Sequence, residues 1–226
     1  MGKMLKAVIF DFNGVMVKDL HLHEEAYLLA AQEMGLSLSP EVVHRYISLA
    51  PVKKRRLYFG EISDTMWSEI LRRKEAHYFR LVEGADILSP EVRDIVPELA
   101  GRYRLAIVSN TTRPCFERIF PPELARFFQV TLFADEVEEP KPSPEPLRRV
   151  MRRMGVESDE CCYVGDSVLD VQMAKSAGVP VVGVSTGDNA PDELRAAGAD
   201  AVIGSLSDLP HLLKVLFTSK PDKELP

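Results

Sequence analysis

Residues 7–17 read AVIFDFNGVMV. Four apolar residues, Ala7–Phe10, run straight into Asp11, and Gly14 follows shortly after. A short, unbroken apolar run has the form of a strand buried on both faces, as in a parallel sheet. Asp11 then stands at the end of a buried strand, where a carboxylate is costly unless a charge meets it. The same form recurs outward from it at Tyr103–Ser109 (YRLAIVS), Val130–Phe133, Cys161–Val164, Val179–Val184 and Ala201–Ile203. Helical segments separate these runs. Ser89-Pro90-Glu91 offers a capping hydroxyl, a first-turn proline and an acid suited to the helix dipole. A helix is expected from about Arg113, and another opens at Ser143-Pro144-Glu145 and ends at Gly155. Further helices are expected over Val168–Ala177, stopped by Gly178, and over Asp192–Ala197 and Ser207–Phe217. Such alternation predicts an α/β fold: a mainly parallel sheet with helices on both faces. Its site belongs at the carboxyl ends of the strands.

Residues 18–87 break the alternation and read as helical throughout, with segments at His23–Met34, Pro40–Leu49 and Asp64–Val82. The expected division is a core of residues 1–17 and 88–217, a helical insert over 18–87, and a polar tail over 218–226 that frays. The linkers fall near Val17–Leu20 and Val82–Ile87.

The chain has 226 residues, 46% of them hydrophobic, which suits a soluble globular protein of one or two domains. Its net charge of -6 argues against nucleic-acid binding, which needs a basic face. No apolar run approaches the ~20 residues of a membrane span, and Ala7–Phe10 is too short for a secretory signal. The three cysteines, Cys115, Cys161 and Cys162, form no spaced framework and no zinc pattern. A cytoplasmic location is expected, and no membrane partner. A monomer is expected, with a dimer as the alternative.

Chemistry-bearing residues follow the strands. Asp11 is a candidate nucleophile. Ser109, with Asn110 and Thr111, puts a hydroxyl and free N–H groups ahead of a helix, a natural phosphate cradle. Lys141 is held between prolines in EPKPSP, and Asp166 and Asp170 lie four apart in GDSVLD. If a helix starts near Ser167, both carboxylates face one point. Each motif alone reads as a cap, a turn or a solvated lysine. The order in which they occur, with the insert directly after the first strand, is what carries weight.

Together these residues resemble the haloacid dehalogenase (HAD) superfamily, and within it the phosphatases with a C1-type helical cap. The resemblance covers about residues 5–213 and implies a Rossmann-like core with an inserted α-helical cap. It implies Mg2+-dependent hydrolysis of a small phosphorylated metabolite through an aspartyl-phosphate at Asp11. It assigns Asp11, the backbone carbonyl of Asn13, and Asp166 as magnesium ligands, with Asp170 positioning the set directly or through water. Ser109, Asn110 and Lys141 would bind the phosphoryl group.

One residue departs from the pattern. The position of Asn13 is normally a second aspartate, the general acid/base. Asparagine can orient a leaving oxygen but cannot protonate it. Losing a general acid costs ~10²–10⁴ in rate. The loss should be greatest for alkyl phosphates and small for acyl or aryl phosphates. Slow hydrolysis, ligand binding without turnover, and an engineered replacement all remain open. Dehalogenase chemistry ranks below phosphatase, because GDSVLD would be unneeded there.

Lys53, Lys54, Arg55 and Arg56 form the densest basic cluster. They read equally as a solvated helix face and as substrate contacts, Lys53, Lys54 and Arg55 for a second anionic group. His23 resembles a histidine that steadies the cap hinge. Trp67 and Tyr78-Phe79 are expected in the cap core.

Overall fold

Every residue of strand β1 (Ala7–Phe10) is buried, which demands neighbours along both edges and cover on both faces. The computed structural model, which describes residues 4–218, supplies them. β2 (Arg104–Val108), β3 (Phe128–Leu132), β4 (Cys161–Gly165), β5 (Val181–Val184) and β6 (Ala201–Ile203) complete a parallel sheet. Its order is β3-β2-β1-β4-β5-β6. The order reverses between β1 and β4, so a crevice opens there at the strands' carboxyl ends.

Side chains alternate across the sheet with a period of two. Val8, Phe10, Leu105, Ile107, Cys162 and Val164 feed one hydrophobic core. Ala7, Ile9, Ala106, Val108, Cys161 and Tyr163 feed the other. Helices α1 (Leu20–Glu33), α2 (Pro40–Arg45), α3 (Pro51–Phe59) and α4 (Asp64–Val82) form the insert. After it come α5 (Val92–Ala100), α6 (Arg113–Ile119), α7 (Pro122–Ala125), α8 (Glu145–Met154), α9 (Val168–Ala177), α10 (Pro191–Ala196) and α11 (Leu209–Thr218). No helix among the described residues is long and apolar enough to cross a membrane. Residues 219–226 of the expected tail lie outside the described residues.

Several boundaries differ from the sequence reading for identifiable reasons. The helix expected over Pro40–Leu49 stops at Arg45. Pro51 disfavours helix at the residue before it, and Ala50 is extended, so a new helix opens at Pro51. Ser89 does not cap α5. Its hydroxyl donates to the carbonyl of Val15 at 2.8 Å and ties the returning chain to the loop after β1. The short α7 was not anticipated. Tyr27, Val43, Ile47, Tyr58, Trp67 and Ile70 give the insert its own core. Tyr78 is not part of it, contrary to expectation. It packs with Leu22, Ala26 and Cys115 at the joint between insert and sheet.

Candidate active site

The residues at the ends of β1, β2 and β4 converge. Asp11 follows β1, Ser109 follows β2, and Asp166 follows β4; all three are buried. The carboxylate oxygens of Asp11, Asp166 and Asp170 come within 4.8 Å of one another. Lys141 reaches in from the loop before α8, with Nζ 2.8 Å from Asp11 Oδ1 and 2.7 Å from Asp170 Oδ1.

Local chemistry explains each position. Ser167 caps α9: its hydroxyl accepts from the Asp170 N–H at 3.3 Å and donates to Asp170 Oδ2 at 2.6 Å. Asp170 also accepts from the Ser167 N–H at 3.0 Å, while Tyr163 Oη lies 2.9 Å from its Oδ1. Both Asp170 oxygens are therefore engaged by protein groups, and this residue aims Lys141 rather than facing the crevice. Gly14 and Gly187 make room for Asp166, because a Cβ at either would collide with its carboxylate. Gly14 also has φ of 80°, a conformation that suits glycine.

The charge balance is uneven: three buried carboxylates face one ammonium. Burial first, and Asp170 second, push the Asp11 carboxyl up to about 6 despite Lys141. Burial and the Asp11 charge raise Asp166 well above the usual carboxylate range. Burial opposes the charge on Lys141, but Asp11 and Asp170 outweigh it and lift that group. An all-oxygen, excess-negative set of this kind suits a hard dication.

Asn110 departs from the expected role. Its Oδ1 accepts from the Lys141 N–H at 3.0 Å, and its Nδ2 donates to the carbonyl of Ser48 at 3.0 Å. It holds the lysine loop and the insert together. Ser48 also donates its hydroxyl to Asp188 Oδ2 at 2.5 Å, and the Asp188 N–H donates to Asp166 Oδ2 at 2.8 Å.

The amide of Asn13 is committed. Its Nδ2 donates to Asp19 at 3.0 and 2.9 Å and lies 3.2 Å from His23 Nε2. Asp19 is fully buried, and Tyr78 Oη donates to it at 2.5 Å. Burial resists its ionisation, yet His23, Tyr78 and Asn13 together hold its carboxyl below the usual range. His23 stacks on Tyr78 with ring centroids 3.9 Å apart. Burial, then the Lys74 charge, press its imidazole down to about 4, so it is neutral near pH 7. Its Nδ1 lies 2.6 Å from Lys74 Nζ, which fixes Nδ1 as acceptor. Asp19 and Lys74 were missed from sequence. Asp19 sits in a polar linker, and Lys74 in the charged run RRKE of a helix.

A cavity of about 500 Å³ spans sheet and insert and is lined by Asp11, Asn13 and Asp166 on one side. The basic cluster divides by helical phase. Lys54 is buried and lines this cavity. Lys53 is exposed and outside it. Arg55 is held by Asp64 and the carbonyl of Ile62, and Arg56 by Glu61 at 3.3 Å. Lys54 and Lys74 share the ring of Tyr27, at 5.1 and 5.3 Å. Among the described residues neither has a carboxylate within ion-pair range. Burial lowers both ammonium groups.

Known proteins resemble this chain in sequence and in fold. The phosphoglycolate phosphatase of Salmonella typhimurium is 34% identical over 137 residues, 60% of this chain and 54% of that protein. The chain thus spans about half the length of the curated relatives it matches. A HAD-superfamily hydrolase of subfamily IA from Geobacter sulfurreducens superposes with a TM-score of 0.66 at 27% identity, over 92% of this chain and 96% of that one. CbbY from Rhodobacter sphaeroides, solved with phosphate, gives 0.77 at 24% identity over 91% and 96%, a likeness of fold. The model of the haloacid dehalogenase-like hydrolase family matches residues 8–184, from β1 to the end of β5. The chain belongs to that family.

Proposed function

We propose that this protein is a Mg2+-dependent phosphomonoester hydrolase acting on a small phosphorylated metabolite. The observation that carries the reading is the convergence of Asp11, Asp166, Asp170 and Lys141 beside Ser109 at the sheet's switch point. Asp11 Oδ1 is held by Lys141 and by the Phe12 N–H at 2.6 Å. Its other oxygen attacks phosphorus, and the aspartyl-phosphate that forms is then opened by water. Lys141 and the Ser109 hydroxyl balance and orient the phosphoryl oxygens. Asp11, the Asn13 carbonyl and Asp166 would hold Mg2+, which supplies positive charge against the phosphoryl group. Asp170 acts through Lys141.

The insert serves as a cap over this site. Ser48 latches it to the core through Asn110 and Asp188. Ser48→Ala removes one of these hydrogen bonds, worth about 0.5–1.5 kcal/mol net. It is expected to raise KM several-fold with kcat little changed, in steady-state assays.

Metal affinity should follow Asp11. Its carboxyl, raised to about 6, must lose its proton to bind a cation. Mg2+ affinity therefore rises as pH rises through about 6 and goes on rising until Asp166, also raised by burial and by the Asp11 charge, has lost its proton. Titration calorimetry in buffers of different ionisation heat checks this through the protons released.

The commitment of the Asn13 amide to Asp19 favours a second reading, a phosphate-ligand binder with little turnover. Phosphate release from a panel of sugar, acyl and aryl phosphates separates the two. Release well above that of Asp11→Asn supports the hydrolase, and binding of phosphate without release supports the binder.

A further inference from the structure

Residue 13 cannot supply a proton. The Asn13 amide is turned onto Asp19. Two cations stand on the cap side instead. Lys74 Nζ lies beside the His23 ring, whose far nitrogen is 3.2 Å from Asn13 Nδ2, and Lys54 shares the Tyr27 ring with it. Neither has an acidic partner within ion-pair range among the described residues. Lysine nitrogens so placed can meet negative charge that develops on a leaving oxygen.

Beside His23, Arg72, Glu75 and Asp135, much of the cavity wall is apolar. Its walls include Tyr27, Trp67 and Tyr78, together with Leu20 and Leu49. These two leucines are half-buried yet belong to none of the four hydrophobic clusters, so they cover no core of the protein itself. At about 500 Å³ the cavity has the size of a site for an organic ligand well beyond a phosphoryl group.

We infer that the substrate is an aryl phosphate, whose aromatic body lies against the cap and whose phenolate leaves unprotonated, its charge met by Lys54 and Lys74. This rests on the hydrolase reading above. In the first step an Asp11 oxygen bonds to phosphorus, the bond from phosphorus to the aryl oxygen breaks, and the electron pair leaves with that oxygen. Water then attacks the aspartyl-phosphate, Asp11 regains its carboxylate, and the water protons leave with inorganic phosphate. The phenolate takes its proton from solvent.

The test is kcat/KM for a series of substituted phenyl phosphates, phosphoglycolate, glycerol phosphate and acetyl phosphate, on the full chain with Mg2+. Aryl esters should exceed alkyl esters by at least ~10², with rates falling as the leaving phenol becomes more basic. Lys74→Met and Lys54→Met keep the apolar stem and should each steepen that dependence. Leu49→Ser should raise KM for aryl esters more than KM for acetyl phosphate. Alkyl esters cleaved as well as aryl ones overturn the inference while the hydrolase reading stands. So does acetyl phosphate cleaved with aryl esters left behind. An unchanged slope in both lysine variants, if folded, removes their role, whereas the slope of the unaltered chain needs no variant. No release from any substrate overturns both readings together.

Discussion

Asn13→Asp is expected to raise kcat/KM for alkyl phosphates by roughly 10²–10⁴-fold and to leave kcat/KM for aryl phosphates little changed, while raising their kcat through faster opening of the aspartyl-phosphate. The reason lies in what residue 13 touches. Its amide donates to both oxygens of the buried Asp19. A carboxyl in its place would meet a carboxylate at hydrogen-bond distance. Two such groups cannot both ionise readily, so the pair keeps one proton near neutral pH. That proton is what an alkyl leaving oxygen needs. The substitution also has a cost. The pair's folded pKa stands above that of an unfolded aspartate, so its penalty is absent in acid and grows as pH rises through the folded value. Melting curves should therefore show the variant losing more stability in alkaline buffer than in acidic buffer, relative to the unaltered chain. If alkyl esters gain nothing from the variant, another group protonates the leaving oxygen and the role assigned to residue 13 is wrong.

Asp11→Asn should remove phosphate release altogether, a loss on the order of 10⁴-fold or more, and should stabilise the metal-free protein. These opposite effects separate a chemical role from a structural one. Asp11 is one of three buried carboxylates, and its carboxyl stands at about 6 against an ordinary 3.8. Ionising it in the metal-free fold thus costs roughly 3 kcal/mol above that pH. The penalty is absent below the unfolded pKa and complete above the folded one. An amide escapes it and keeps its size. Denaturant melts without divalent cation, at neutral pH, should show the variant more stable. A variant that is both inactive and less stable would mean that Asp11 serves the fold first.

Much of this site is legible in the sequence. The apolar runs and their glycine stops gave the sheet, because strands buried on both faces leave an unmistakable run of β-branched and aromatic residues. Asp11, Ser109, Lys141 and Asp166 stood out because each directly follows a strand or is fixed by prolines. What escaped depends on three-dimensional phase. Lys53, Lys54, Arg55 and Arg56 are one charge run in sequence, but helix α3 turns only Lys54 into the cavity. Lys74 is hidden among the arginines of α4, where it looks like a solvated face. Asp19 follows a lysine in what reads as a linker, yet it is the anchor for Asn13. Tyr163 reads as core, and its ring is core, while its hydroxyl lies 2.9 Å from Asp170. Asn110 has the right neighbours for phosphate contact, and only the Lys141 loop and Ser48 show that its amide is already engaged.

Asp11 is expected to take the phosphoryl group. With no general base at residue 13, opening of the aspartyl-phosphate should be slow enough for it to accumulate. Acid quench of the protein during turnover of an aryl phosphate with Mg2+, followed by mass spectrometry, tests this directly. One added phosphoryl group is expected on the peptide that carries Asp11, absent in Asp11→Asn. Phosphate released at full rate with the label on another residue, or from an Asp11→Asn protein, would contradict it.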